Sequence, residues 1–244
     1  MEIKSRILIY WTGRGICTTH DSMSVTFRKD YLDRLKNIIT DGFWMMPNKE
    51  KIMGYGGCIN KTFQFCTCFT DLGVNNSAEH IKKYGLMGIG ISREFILERD
   101  GRPVWYFLND PTDIHAETVN KLFNYINSEK NGNDELTELY NRMSMLFDYA
   151  KPMGDNFSIF DNYYEEREWR VVWNSHIKND KFHPTGIDTP KFLMPFKKEH
   201  LKLIIFPDVE TKNMFYSDTF FQEIIDKGYN PSLISWEEFF QIMK

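Results

Sequence analysis

Hydrophobic positions change period several times along the chain, and each change marks an element. Ile7-Leu8-Ile9-Tyr10-Trp11 is a continuous apolar run of strand length closed by Thr12-Gly13-Arg14-Gly15, which predicts a buried strand and then a turn. From Arg28 to Asp41 the apolar residues Tyr31, Leu35, Ile38 and Ile39 recur at helical spacing, and Gly42 stands where a C-terminal cap needs positive φ. Phe63 to Thr70 alternates large apolar with small or polar side chains, the period of a strand. Gly88-Ile89-Gly90-Ile91 predicts a short strand with close backbone packing. Ser92 is placed to cap a helix over 93–99, which Asp100-Gly101 ends.

The second half continues the mixture. Pro103 to Leu108 is apolar and aromatic, a buried strand by composition. Leu122, Phe123 and Ile126 form one helical stripe, and Leu136, Leu139, Tyr140, Met143, Leu146 and Phe147 form another. The polar run 128–134 separates them, which predicts a helical hairpin. After a break at Lys151-Pro152-Met153-Gly154, the segment 163–173 reads as a strand. Arg167, Trp169, Val171 and Trp173 share one of its faces, and Glu166, Glu168, Arg170 and Val172 the other. The tryptophan face is the one expected to turn inward. Strands near 191–196 and 201–206, a helix ending at Lys227-Gly228, a short strand at Leu233-Ile234 and a terminal helix from Trp236 complete the chain. The expected class is α+β, a single domain over 1–244 with a helical insertion at about 111–150.

Composition narrows the functional classes. With 244 residues, 42% hydrophobic and 26% charged, the chain is long enough to bury a core without disulfide or metal, so its four cysteines are optional chemistry. A net charge of −4 argues against a generally basic nucleic-acid coat. No run approaches the ~20 apolar residues of a membrane span, and the charged start MEIKSR leads directly into the first strand. A cytoplasmic protein with no membrane partner is expected. The 20 phenylalanines suit a core or a stacking pocket equally.

Glu166 and Glu168 are the most informative charged residues. Two apart on a strand, they look into one space about 7 Å wide, and charges at that density are costly to bury unless paired or used. Their spacing admits two readings: a charged strand face neutralised by Arg170, or a functional pair that binds a hydroxyl and orients a nucleophile. Cys58, Cys66, Cys68 and His80 match no zinc-knuckle spacing and the cysteines read as core residues, so no metal is expected. Neither Gly54-Tyr55-Gly56-Gly57 nor Gly88-Ile89-Gly90 has the helix signature of a phosphate loop. His80 and Tyr84, four apart on a short predicted helix, read as a packing pair or a polar rim. Asp71 with the two glutamates could be imagined as a metal nuclease, but no lysine stands near Glu168, and Arg170 cannot act as a base. Arg14, Arg28-Lys29 and Lys82-Lys83 could form a basic lip for phosphates, or simply a solvated surface.

The order of motifs carries a resemblance. Tyr10-Trp11-Thr12-Gly13, the helix from Arg34 to Trp44, Cys68-Phe69-Thr70-Asp71, the segment from His80 to Ser92, and Tyr164 to Arg170 together resemble the AbiGi-type abortive phage-resistance family, whose label of antitoxin implies a cognate toxin partner. More distantly, the same succession resembles ADP-ribosyltransferases of the DarT type. That resemblance implies a split β-sheet core, NAD as substrate, and transfer of ADP-ribose to nucleic acid or protein in phage defence. It implies that Trp11, Thr12, Gly13 and Arg14 hold NAD, with Thr70 and Tyr84 on the cleft wall. It also implies that Glu168 is the catalytic acid, with Glu166 beside it. Trp11 stands where many members have His, a departure in the cradle itself. The alternative in a different class is a non-catalytic antitoxin or sensor subunit that binds a toxin or phage protein.

Overall fold

Ser24 opens the first helix. Its side chain accepts the Phe27 N–H, and the helix runs to Gly42, whose φ of 103° ends it. A Cβ at that position would lie 2.4 Å from the Met194 carbonyl, so the cap also needs the missing side chain. The computed structural model describes residues 7–17, 23–47, 51–54, 57–60, 65–71, 77–107, 114–152, 167–173, 181–188 and 190–238. Elements follow in the order β1 (Ile7–Thr12), α1 (Val25–Asp41), β2 (Phe43–Pro47), β3 (Lys51–Gly54), β4 (Gly57–Asn60), β5 (Phe65–Thr70), α2 (Ser77–Tyr84) and β6 (Met87–Ser92). Next come α3 (Arg93–Leu97), β7 (Arg102–Pro103), β8 (Trp105–Phe107), α4 (Ile114–Glu129), α5 (Asp134–Asp148), β9 (Ala150–Pro152) and β10 (Glu168–Val172). The last part holds β11 (His183–Pro184), β12 (Phe192–Met194), β13 (Leu201–Phe206), α6 (Val209–Tyr216), α7 (Thr219–Asp226) and β14 (Ser232–Ser235).

Ten of these strands join one mixed sheet with the path β11-β12-β2-β5-β1-β6-β13-β14, while β10 lies against the other edge of β5 and carries β7. β13 and β14 run parallel, and the remaining pairs of this sheet are antiparallel. The sheet forks at β5. Met46 of β2 pairs with Cys66 near one end of β5, and Ile9 of β1 pairs with Thr70 at the other, both on the edge opposite β10. The protein is therefore mixed α and β around a forked sheet.

Aromatic rings fill the core beside the fork. Phe43 stands 4.9 Å from Tyr10, 5.3 Å from Phe69 and 5.1 Å from Phe196 between ring centroids. On the other face Trp11 stacks on Trp236 at 5.4 Å, and its ring occupies the space over Gly88, where a Cβ would lie 2.6 Å from Trp11 Cζ3. Close packing at the glycine strand is thus an indole laid on backbone. α4 and α5 form the expected hairpin, with Phe123 against Tyr140 at 4.8 Å and Phe147 at 5.2 Å.

Several boundaries differ from the sequence reading. A strand, β2, follows Gly42 directly. The 103–108 segment is divided into β7 and β8 because Val104 turns its N–H to Glu168. Lys151-Pro152 belongs to β9, which pairs in parallel with β8, and is no break. Two helices, α6 and α7, occupy the stretch read as one, because Asp208 and Asp218 each supply an N-cap. β10 is covered on both faces: Val171, on the tryptophan face, is in the core as expected, but the glutamate face is buried as well. Trp169 and Trp173 are half-buried, whereas Glu168 and Arg170 are 4% and 1% exposed.

Candidate functional site

Glu168 lies directly opposite Thr70 in the register of β10 and β5, and Ile9 lies opposite Thr70 on the other side. Alternation then sets Trp11, Thr70, Glu168 and Arg170 on one face of the sheet and Tyr10 and Thr12 on the other. The Thr70 hydroxyl is already committed on that face: it accepts the Trp11 indole N–H at 3.1 Å and donates to the Ile9 carbonyl at 3.3 Å. The register thus brings Trp11, Thr70 and Glu168 together and separates Thr12 from them.

The Glu168 carboxylate is committed as well. Oε2 accepts from Lys151 Nζ at 2.6 Å, Oε1 accepts from Arg170 Nε at 2.5 Å, and the backbone N–H donates to the Tyr106 hydroxyl. Arg170 continues the chain of contacts by donating Nη1 to the Asp148 carbonyl at 3.0 Å. Burial alone would push the Glu168 pKa up, but the Arg170 and Lys151 charges outweigh it and hold the carboxyl well below the ordinary range. Lys151, Glu168 and Arg170, each at most 5% exposed, form a buried ion-pair group to which buried Asp148 adds its backbone carbonyl. Lys151, in a strand that pattern alone read as a break, is the partner the sequence did not disclose.

The turn after β1 is closed by its own neighbours. Tyr31 from α1 places its hydroxyl between the Gly13 and Cys17 carbonyls and accepts the Leu86 N–H at 3.2 Å. Burial first of all raises the Tyr31 pKa, to about 12, so the phenol stays a neutral donor. The Arg14 N–H donates to the Tyr84 carbonyl at 2.9 Å, while the Arg14 side chain is exposed. His80 is buried and packs on the Tyr84 ring at 4.9 Å. Arg28 from the expected basic lip is engaged by Asp208 and Glu210. Cys66 is buried, while Cys68, expected in the core, is exposed. Glu166 and the side chain of Cys58 lie outside the described residues.

Two concave features adjoin α1. A crevice of about 390 Å³ opens at the sheet fork between Tyr10 and Thr12 of β1, Trp44 of β2 and Arg34 of α1, with Arg34 donating to Thr12 Oγ1 at 3.3 Å. Its formation depends on the unpredicted strand β2. A groove of about 740 Å³ runs between α1 and α6, bounded by the ion pairs Arg28–Asp208 and Lys36–Asp218. Among the described residues there is no group of three His, Cys, Asp or Glu side chains able to hold a metal, and no helix long and apolar enough to cross a membrane.

Fold and site define a mixed α/β protein in which the one described carboxylate of the predicted pair is sealed into an ion-pair group. The family model of the abortive phage resistance protein AbiGi, antitoxin, matches residues 35–205. The chain belongs to this AbiGi family of abortive phage resistance. No curated protein and no solved structure gives a significant match. The family's description as antitoxin corrects the expectation of a toxin-type ADP-ribosyltransferase and favours the alternative of a non-catalytic antitoxin.

Proposed function

We propose that the chain acts as the non-catalytic antitoxin of an abortive phage-resistance system, by binding a protein toxin. The observation that carries this reading is the saturation of Glu168 by Lys151 and Arg170 in the interior. Such a carboxylate balances buried cations and has no face left for a substrate. The contacts of Thr70, Trp11 and Gly13 support the same reading, because each is spent within the fold. On this reading residues 1–244 form one domain, with the α4–α5 hairpin as an insertion into it.

The test is neutralisation without turnover. Cells carrying the complete resistance system are expected to grow poorly when this chain is deleted and to recover when it is restored. The purified chain is expected to consume no NAD when incubated with labelled NAD, nucleic acid and protein. Label transfer by the purified chain would refute the proposal.

A further inference from the structure

The α4–α5 hairpin turns an apolar face outward. Its inward residues are spent on its own small core: Phe123 contacts Tyr140 and Phe147, and Ile126 is buried. Leu122, Tyr125, Leu139 and Leu146 each precede one of these inward residues by one position. One residue back is a rotation of about 100° on a helix, and in an antiparallel pair that rotation leads to the same broad side on both helices. Val119, which precedes buried Asn120, falls on this side too. Exposure agrees, at 37% for Val119, 50% for Leu122, 63% for Tyr125, 43% for Leu139 and 48% for Leu146.

Charge selects the occupant. Apart from buried Asp148, residues 114–148 contain five acidic side chains, Glu117, Glu129, Asp134, Glu135 and Glu138, against three basic ones, Lys121, Lys130 and Arg142. The bases are engaged locally: Lys121 pairs with Glu117, Arg142 with Glu138, and Lys130 lies over the Tyr140 ring. Glu129, Asp134 and Glu135 remain as exposed acids at the hairpin tip. A second copy of this chain would bring like charges together there, whereas a cationic partner would not.

We propose that the exposed face of the α4–α5 hairpin is the docking surface for a basic amphipathic helix of the toxin partner. Its apolar side lies along Leu122, Tyr125, Leu139 and Leu146, and its lysines or arginines face the acidic tip. This assignment rests on the antitoxin reading.

The test uses two fluorescent helical peptides of about 18 residues with the same leucine face, one with lysines and one with glutamates on the polar face. The parent chain is expected to bind the lysine peptide and not the glutamate one. The double variant Leu122→Glu, Leu146→Glu is expected to bind the lysine peptide about tenfold or more weakly, with an unchanged melting temperature, and to fail to restore growth in the deletion host. Restored growth by that variant, or equal binding of both peptides, would overturn the docking surface while leaving the antitoxin reading intact. A parent dimer that the variant dissociates, seen by light scattering, would assign the face to a second copy and overturn the proposal. Normal growth of the deletion host without the chain would overturn the antitoxin reading, and this surface with it.

Discussion

Replacing Glu168 by Gln leaves the Lys151 ammonium and Arg170 guanidinium buried with one carboxylate fewer. Breaking one partner of a buried group of this kind costs about 3–5 kcal/mol, so urea unfolding is expected to show a midpoint well below the parent's. Acid titration probes the same contact. The Glu168 carboxyl has an ordinary value near 4.5 and is held far lower in the folded protein. As pH falls the unfolded chain takes up this proton first, so the contribution is complete above about pH 5 and declines as pH drops through 4.5 toward the folded value. Unfolding measured from pH 7 downward is therefore expected to show a steeper acid loss in the parent than in Glu168→Gln. Tyr31→Phe removes the hydroxyl shared by the Gly13 and Cys17 carbonyls and leaves the Leu86 N–H unpaired. A loss of roughly 1–3 kcal/mol is expected in the same assay. Sequence spacing placed charge on one face of β10, but the balance that makes its burial possible was not readable. Lys151 lies 17 positions away in a segment with the look of a turn, and Asp148 ends a helix on the other side of it.

Elements whose signals are local were legible. Ser92 caps α3 as expected by accepting the Phe95 N–H, Gly42 ends α1, and two helical stripes became a hairpin. The aromatic content is answered by the ring cluster around Phe43. β2 was not legible, because Phe43-Trp44-Met45-Met46 is a short apolar run without alternation and only its pairing with β5 and β12 makes it a strand. The burial of the glutamate face of β10 has a similar cause. An alternation of charges and aromatics suggests an outer and an inner face, whereas both are covered here: Lys151 and Arg170 close over Glu168 on one, and Arg93 and Phe192 lie against Trp169 and Trp173 on the other. A glycine exchange tests the packing at β6. Gly88→Ala puts a Cβ against the Trp11 ring and is expected to cost roughly 1–3 kcal/mol by thermal unfolding. Gly15→Ala, where nothing lies within 4 Å, is expected to stay within ~0.5 kcal/mol.

At the scale of the whole molecule, the ordering of motifs carried the family, and residues 35–205 match it. The same ordering also suggested a transferase, because strand and turn residues can be counted along a chain while their hydrogen-bond partners cannot. Once their partners are known, the Thr70 hydroxyl, the Gly13 carbonyl and the Glu168 carboxylate are engaged inside the fold. On the proposed antitoxin reading, Glu168 serves the fold and protection needs no chemistry from it. The double variant Glu168→Gln, Lys151→Met removes one buried charge of each sign and keeps Arg170 against the Asp148 carbonyl. The decisive measurement is growth of the deletion host restored with this variant, with its melting temperature measured alongside. A folded variant that restores growth as the parent does is expected; a folded variant that fails to restore it would show that Glu168 serves protection beyond the fold.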